Sequence, residues 1–171
     1  MKYSPNHSDP RMRALYASLV VCAFVMLSVG TGVVRAILVS LALVCLGVGL
    51  YLFIKCDMTT YTYIVMENEG RQDFYIDKAV GKRGAYVCYY PLSDVAYFDD
   101  YIKGSKKEIN EKYGKVFFYN YCHNRLNGDK QILVFENDGY YDAVIIELDK
   151  QSIEYLKKAI AFSKTKFASD E

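Results

Sequence analysis

Two long apolar runs, at residues 14–29 and 36–54, occupy much of the first third of this chain. Arg35 is the only charged residue between positions 14 and 54. A helix needs about 20 predominantly apolar residues to cross a hydrocarbon core of about 30 Å, and each run approaches that length. The pattern therefore predicts a transmembrane helical hairpin over residues 14–54, with spans at about 14–32 and 34–54.

A cleaved secretory signal peptide is the alternative interpretation of the first run, since Arg11 and Arg13 would supply its basic leading region. A second apolar run follows almost at once, and a signal peptide does not account for it. Gly30 and Gly32 lie between the runs, where glycine permits the positive φ angles that a short turn requires. We therefore expect a hairpin.

Basic residues next to membrane spans are retained on the cytoplasmic side and so predict the orientation of the hairpin. Three precede it, one lies in its turn and one follows it: Lys2, Arg11, Arg13, Arg35 and Lys55. The excess outside the turn predicts that both termini are cytoplasmic and that residues 1–13 form a cytoplasmic tail.

Small residues recur at four-residue spacing in both runs and are typical of faces along which helices approach closely. They are Ala14, Ser18 and Cys22 in the first run, and Ala36, Ser40, Cys45 and Gly49 in the second. Such faces predict helix packing or a homo-oligomer through the spans. The alternative is that small residues are simply common in transmembrane helices.

The remainder of the chain has a different composition. Residues 55–171 hold 17 Lys and Arg against 19 Asp and Glu, and the whole chain carries a net charge of +1. That balance argues against a nucleic-acid binder, which would present a basic surface. Hydrophobic residues make up 52% of the chain and include 17 Tyr and 9 Phe, which argues against disorder. We expect a folded, nearly neutral domain after the hairpin.

From residue 59 apolar and polar residues alternate, and Tyr, Val, Ile, Phe and Thr become frequent, which is typical of β-strands. The predicted strands cover about residues 59–66, 72–80, 85–90, 94–100, 115–122, 131–136 and 140–148. Turns at 67–70, 81–84, 124–128 and 137–139 favour antiparallel neighbours. Residues 101–114 have no apolar run, and we expect them to form an exposed loop that divides the strands into sheets of four and three.

A C-terminal helix is predicted over residues 150–166. Asp149 is a suitable N-cap, and Ile153, Leu156 and Ile160 recur at helical spacing. The apolar stripe of this helix would cover the open end of the sheets. A helix lying on the membrane surface is the alternative, given the lysines on its polar face.

Seven antiparallel strands followed by one helix are the order of elements in a pleckstrin-homology (PH) fold. Residues 58–167 resemble the PH-like domain of small bacterial membrane proteins, on segments such as Phe74-Tyr75-Ile76-Asp77 and Pro91-Leu92-Ser93-Asp94-Val95. The two spans before them resemble the YcxB-like arrangement of that group. The resemblance implies a mainly-β PH-like domain of seven antiparallel strands in two sheets, capped by a C-terminal α-helix, on a multi-pass protein of the bacterial plasma membrane.

The chain departs from eukaryotic pleckstrin domains at one position of the fold. Those domains place a Trp in the C-terminal helix, and this chain has no Trp. Leu156 or Phe162 would fill that volume.

Candidate catalytic residues are few. Cys122 and His123 are adjacent, but neighbouring side chains on a strand point to opposite faces, which argues against a nucleophile and its base. The other histidine, His7, lies in the N-terminal tail. We therefore predict that the chain is not an enzyme.

Metal and cofactor sites are not predicted either, because no Cys or His pair has ligand spacing. The carboxylate pairs Asp99/Asp100 and Asp138/Asp142 fall at predicted turns or strand ends, where solvated acids are ordinary. The five cysteines form no evident disulfide framework, which agrees with a cytoplasmic domain.

Three basic residues, Lys78, Lys82 and Arg83, fall on the second predicted strand and the turn after it. Pleckstrin domains that bind phosphoinositides carry basic residues on an early hairpin, so the resemblance implies a lipid or partner contact here. Each basic residue near an anionic membrane surface contributes about 1 kcal/mol of attraction. A charged hairpin tip that keeps a β-edge soluble is the alternative.

Ten tyrosines fall on predicted strands: Tyr61, Tyr63, Tyr75, Tyr86, Tyr89, Tyr90, Tyr119, Tyr121, Tyr140 and Tyr141. Some must be exposed, and exposed tyrosines suit protein contacts because they combine a large area with a polar tip. The alternative is that Tyr is simply frequent in strands. The sequence thus predicts a membrane-anchored, non-catalytic binding or scaffolding module that recognises a protein partner. Anionic-lipid contact, or a role as accessory subunit of a membrane transport or enzyme complex, is the alternative.

Overall fold

The computed structural model describes residues 1–5, 10–68, 70–123 and 129–170. The chain forms two compact units, one of His7–Thr59 and one that combines Met1–Asn6 with Thr60–Glu171. His7, the turn expected at 124–128 and one residue of the turn expected at 67–70 lie outside the described residues.

The first unit is a hairpin of two long helices. Helix α1 covers Pro10–Ser28 and α2 covers Gly32–Phe53, and a π-helical segment at Ile54–Met58 continues α2. Gly30 and Gly32 adopt φ angles of +98° and +58°, which permit the short turn between the helices. Both helices are long and apolar enough to span a membrane, judged by length and composition.

Small residues bring α1 and α2 together. Ala23 of α1 and Ala42 and Gly49 of α2 are buried. A Cβ atom placed on Gly49 would lie 3.6 Å from the backbone oxygen of Tyr16, so a larger side chain would press on the backbone of α1.

Ala14, Ser18 and Cys22 are exposed, so the small-residue face expected on α1 does not pack against α2, and a homo-oligomer through the spans stays a prediction. Ala36 and Ser40 of α2 are exposed as well. Sequence spacing alone leaves open which side of a helix meets its neighbour, and the buried small residue of α1 lies one position beyond Cys22. Of the set expected on α2, Gly49 is buried.

Polar side chains join the two ends of this hairpin. The Nε atom of Arg13 lies 3.2 Å from Oδ1 of Asp57, and the Tyr16 hydroxyl donates a hydrogen bond to the other carboxylate oxygen. Asp57 is therefore held from two directions by the first two turns of α1.

The second unit combines two sheets with two α-helices and a short 3-10 helix at Leu92–Asp94. Its elements are β1 (Lys2–Tyr3), β2 (Thr59–Asn68), β3 (Arg71–Val80), β4 (Arg83–Pro91), β5 (Val95–Asp100), α3 (Ser105–Tyr113), β6 (Val116–Asn120), β7 (Lys130–Asn137), β8 (Tyr140–Glu147) and α4 (Lys150–Asp170). The first sheet has the strand order β1-β2-β3-β4, and the second has the order β5-β7-β8-β6.

The expected division of the strands is wrong in three respects. The fourth strand of the first sheet is β1, where Tyr3 lies opposite Tyr63, and β5 belongs to the second sheet. The described strands number eight and not seven, since β1 comes from the N-terminal tail. Finally, β6 pairs with β8 in parallel. Because β7 is antiparallel to both β5 and β8, β6 also runs parallel to β5, and a connection between parallel strands of one sheet needs a crossover.

Helix α3 supplies that crossover and replaces the exposed loop expected at residues 101–114. Ser105 accepts a hydrogen bond at its Oγ from the Ile102 backbone N–H at 2.9 Å, and Gly114 follows the last residue with a φ of +79°. Helix α3 contributes two apolar side chains to the cluster on the second sheet: Ile109, which is buried, and Tyr113, which is partly buried. Because the helix buries so few apolar side chains, its sequence contains no apolar run that would have predicted a helix.

Two hydrophobic clusters lie on the two faces of the second sheet. One fills the space between the two sheets and α4 and includes Phe74, Leu133 and Leu156. The other lies between the second sheet and α3 and includes Ile109 and Ile145. Strands β7 and β8 are therefore buried on both faces, which explains their nearly continuous apolar sequences.

The expected C-terminal helix is present as α4. The Ser152 backbone N–H donates a hydrogen bond of 2.8 Å to Oδ1 of Asp149, which caps the first turn. Leu156 is fully buried and Phe162 is exposed, so Leu156 is the residue that inserts between the sheets.

Candidate binding surfaces

The structure places the three basic residues at one end of the β3–β4 hairpin. Lys78 is opposite Ala85, and Val80 is opposite Arg83. Because alternate strand residues share a face, Lys78 and Arg83 lie on the same face of the hairpin. Lys82 occupies the turn between the strands.

Lys82 and Arg83 are exposed and Lys78 is half-buried. Among the described residues, no ion pair is formed by Lys78, Lys82 or Arg83. The hairpin end thus presents cationic groups to solvent without a described acidic partner.

A cluster of tyrosines lies on the outer face of the same hairpin, and we call it the tyrosine face: Tyr75, Tyr86 and Tyr89. The Tyr75 ring centroid lies 5.3 Å from that of Tyr89 and 6.3 Å from that of Tyr86. A β-bulge between Ile76 and Asp77 shifts the register and puts Tyr86 and Tyr89 on one face despite their three-residue separation. Tyr86 is 59% exposed and Tyr89 is 44% exposed.

An acidic residue is buried beside the tyrosine face. Burial raises the pKa of the Asp73 carboxyl, and the Tyr75 hydroxyl lies 3.5 Å from its Oδ2 atom. Burial likewise raises the pKa of Tyr75 and Tyr86. These phenols remain protonated at neutral pH and act as hydrogen-bond donors as well as apolar surface.

The remaining strand tyrosines are not equivalent to these three. Tyr63 is fully buried in the core, and Tyr61, Tyr90 and Tyr121 pack partly against it. Tyr119 and Tyr140 are exposed, but on the second sheet. Tyr141 packs partly against the cluster beneath α3. The ten expected positions therefore separate into residues that pack on the two cores, the tyrosine face on the first sheet, and the exposed pair on the second sheet.

Asp142 lies on the inward face of β8 and is 8% exposed. In register, Phe135 of β7 and Phe117 of β6 are its neighbours on either side. The Tyr90 hydroxyl lies 3.4 Å from Oδ2 of Asp142, and the Tyr90 ring stacks on that of Phe135 with centroids 4.3 Å apart. The expectation that Asp142 is a solvated acid is wrong, because its strand places it between the two sheets.

The electrostatics of Asp142 follow from this position. Burial raises the pKa of its carboxyl, while hydrogen bonds from Tyr90 and Asn137 act in the opposite direction. Next to Tyr90, burial raises the pKa of the Cys88 thiol to about 11, and a hydrogen bond joins Cys88 to Tyr121. The thiol is therefore protonated and unreactive at neutral pH.

The other candidate residues take ordinary positions. Cys122 is buried in the cluster beneath α3, which gives its thiol a packing role. Asp99 accepts hydrogen bonds from the Tyr97 hydroxyl and the Asp100 backbone N–H on an exposed strand end. Among the described residues, no three His, Cys, Asp or Glu side chains converge as they would around a metal ion.

Comparison with known proteins gives no relative: no family model, curated protein or solved structure matches this chain.

Proposed function

We propose that this chain is a membrane-anchored, non-catalytic binding module whose PH-like domain recognises a protein partner through the tyrosine face. The observation that carries the proposal is the cluster of exposed Tyr86 and Tyr89 with half-buried Tyr75 on one hairpin. Tyrosines are enriched among the residues that dominate binding energy at protein interfaces, because a rigid ring buries a large area at low entropic cost.

The pairing of β1 with β2 supports a hairpin anchor. The chain leaves the first sheet after Tyr3, passes through the helical unit and returns to the same sheet at Thr59. Both ends of an inserted hairpin must then lie on one side of the membrane, which requires an even number of crossings. Removal of α1 as a signal peptide would also remove β1. The basic residues that flank the hairpin favour the cytoplasm for that side.

The order of elements supports a PH-like domain. Without β1, α3 and β6, the chain reads as three antiparallel strands, β2 to β4, then three more, β5, β7 and β8, and a helix, which is one strand fewer than the seven of a PH fold. Leu156 of that helix enters the space between the sheets. We interpret α3 and β6 as an insertion into this arrangement, and β1 as an added edge strand.

A photo-cross-linking experiment tests the partner. The amber codon is placed at position 86 or 89 in the full chain, p-benzoylphenylalanine is incorporated, and cells are irradiated. We expect a discrete cross-linked product from both positions, which Tyr75→Ala reduces. Position 155 is the control, because Tyr155 is 44% exposed, as Tyr89 is, but lies on α4. Identical products from positions 86 and 155, or none from 86 and 89, would contradict the proposal.

Anionic-lipid contact is a second candidate function, favoured by the exposed Lys82 and Arg83 at the tip of the same hairpin. The chain has no Trp, so a single Ala85→Trp substitution provides a specific fluorescent reporter on this hairpin. In nanodiscs of brominated anionic lipid, contact predicts quenching that the Lys78/Lys82/Arg83→Ala triple variant removes. Equal quenching by neutral and anionic brominated lipids, or by both proteins, would contradict a charge-dependent contact.

Topology is tested separately in a cysteine-free chain that carries Lys2→Cys or Lys82→Cys. Both positions are exposed in the second unit. We expect an impermeant maleimide to label both sites only after cells are opened. Labelling of one site in intact cells and not of the other would show an odd number of crossings.

A further inference from the structure

We propose that the partner of the tyrosine face presents an arginine side chain, which pairs with Asp77 and stacks on the exposed tyrosine rings. This inference rests on the proposed function, because it names the chemistry that the tyrosine face would recognise. We call Asp77 together with Tyr75, Tyr86 and Tyr89 the guanidinium site.

Strand pairing places Asp77 among the three rings. Asp77 lies directly opposite Tyr86 in the register of β3 and β4, and Tyr75 lies directly opposite Tyr89. Asp77 follows Tyr75 by two residues, so the carboxylate and the three rings share the outer face of the hairpin. Residues that are directly opposite in an antiparallel pair have Cβ atoms about 5 Å apart. One ligand group can therefore contact Asp77 and Tyr86 together.

The guanidinium site lies on the surface, so a ligand reaches it without entering a cavity. Tyr86 and Tyr89 are exposed, and Tyr75 and Asp77 are half-buried beside them. Burial raises the pKa of the Tyr86 phenol, and the charge of Asp77 acts in the same direction, which places the carboxylate close to this exposed ring. A cation that approaches the Tyr86 ring therefore also approaches the carboxylate.

The described chain does not supply a cation to the guanidinium site. Lysines lie over several other rings, but none of the described basic residues lies over Tyr75, Tyr86 or Tyr89. The ion pairs between described residues do not include Asp77. The site therefore combines exposed aromatic surface with a negative charge that a partner can neutralise.

The basic residues of β3 point elsewhere. Lys78 follows Asp77 directly and so lies on the opposite face of the strand. Arg71 shares the outer face but lies six residues from Asp77, about 20 Å at 3.4 Å per residue. Burial raises the pKa of Asp73, and the Arg71 charge acts in the opposite direction, so Arg71 lies near the carboxylate at the far end of β3.

The chemistry of the guanidinium site favours arginine over lysine. A guanidinium is planar and weakly hydrated, so it stacks on an aromatic ring while its N–H groups donate to a neighbouring carboxylate. The pairing with a carboxylate is commonly bidentate, which adds geometric specificity to the charge. The ammonium group of lysine is compact and strongly hydrated, and it has no planar surface to stack on the Tyr86 ring.

N-acetyl-arginine methylamide is the probe for this site. Saturation-transfer NMR on the full chain in maltoside detergent should detect transfer to its side-chain methylene protons. The citrulline analogue has nearly the same shape without the charge and should bind roughly tenfold more weakly, and the lysine analogue should bind several-fold more weakly. If either analogue binds as tightly as the arginine probe, the proposal is overturned.

Variants locate the binding. Asp77→Asn keeps the shape of the side chain and should lower the affinity for the arginine probe roughly tenfold, while Tyr86→Leu should lower it several-fold. Tyr86→Leu, at a largely exposed position, decides the question if Asp77→Asn fails to fold. A folded chain with either substitution that keeps full affinity would overturn the proposal.

Asp99→Asn is the matched control. Asp99 also adjoins a tyrosine, since it accepts a hydrogen bond of 3.1 Å from the Tyr97 hydroxyl. The Lys112 ammonium of the chain itself lies 5.3 Å from the centroid of the Tyr97 ring, so this pair already has a cation. The affinity for the arginine probe should therefore be unchanged in Asp99→Asn. A loss equal to that in Asp77→Asn would contradict binding at the guanidinium site.

The probe experiment and the cross-linking experiment can fail separately. If the probe binds but position 89 gives no cross-linked product, the guanidinium site stands and the protein partner is refuted. If the product forms but the probe does not bind, the partner stands and its arginine is refuted. Where both succeed, Asp77→Asn should also reduce the product from position 89. An undiminished product would show that the partner does not engage Asp77 and would overturn the inference.

Discussion

The hydroxyl group of Tyr63 lies 2.8 Å from the backbone carbonyl oxygen of Tyr121 and so joins β2 of the first sheet to the end of β6 in the second. The same hydroxyl accepts a hydrogen bond of 3.3 Å from the backbone N–H of Glu147. Tyr63→Phe would leave both backbone groups without this partner inside the core. We expect the free energy of unfolding to fall by about 1–3 kcal/mol, measured by urea denaturation.

Tyr86→Phe is the matched control for that substitution, because the Tyr86 ring is largely exposed. We expect its midpoint to equal that of the original chain. An unchanged midpoint for Tyr63→Phe would show that the hydroxyl does not link the sheets.

The pH dependence of stability should report the burial of Asp142. The folded pKa is raised above the ordinary value of 3.8, so the folded state binds more protons than the unfolded state in the interval above 3.8. Stability therefore falls as pH rises through that interval. Asp142→Asn removes this loss, and the variant should be about as stable as the original chain at pH 3 and more stable at pH 7.

The groups that face Asp142 are Tyr90, Asn137 and, beyond Tyr90, Cys88. The pKa values of Tyr90 and Cys88 are both raised and lie far above this interval, so neither group contributes to the difference in stability between the two chains. Thermal midpoints of the two chains between pH 3 and pH 7 give the measurement. Parallel curves would contradict a raised pKa at Asp142.

The sequence pattern predicts those elements that carry their own periodicity. The apolar helices, the strands with alternating residues and the C-terminal helix capped by Asp149 fall into this class. Strand β1 cannot be predicted in this way, because two residues are too few to show an alternating pattern and they pair with β2, which lies far along the chain. Helix α3 does not either, since it buries little apolar surface and relies on the second sheet for support.

The candidate sites show the same distinction. The location of a hairpin turn is determined by local sequence, and the turn that contains Lys82 lies where the turn pattern predicts it. The surroundings of Asp142 involve residues from β4, β6, β7 and β8, and the parallel pairing of β6 with β8 is a long-range property. The sequence contains one indication that Asp142 is buried. Asp142 shares a strand face with Val144, Ile146 and Leu148 by two-residue spacing, and these three residues are buried.

The N-cap of α4 should have the opposite pH dependence to Asp142. Hydrogen bonds from Ser152 lower the pKa of Asp149, so its stabilisation is fully present above the ordinary value of 3.8 and is lost as pH falls through the folded value. Asp149→Ala should cost about 1 kcal/mol at pH 7 and less at pH 2. Asp149→Asn is the control, because an amide oxygen caps the helix at any pH. A cost for Asp149→Ala that is the same at both pH values would contradict a cap that depends on the charge.

Two glycines of α2 provide a test of the packing between α1 and α2. A Cβ on Gly49 would lie 3.5 Å from Val20, whereas one on Gly47 would have no atom within 4 Å. Gly49→Leu should therefore force the helices apart, at a cost of about 1–3 kcal/mol for overpacking, while Gly49→Ala and Gly47→Leu should be tolerated.

The measurement is energy transfer between dyes at positions 15 and 53 of a cysteine-free chain, followed as SDS is added to maltoside micelles. Both positions are exposed in the helical unit. Gly49→Leu should lose transfer at a lower SDS fraction than Gly47→Leu, although the two substitutions add the same apolar volume. Equal midpoints for these two variants would contradict the close contact at Gly49, because only the location of the added side chain differs between them.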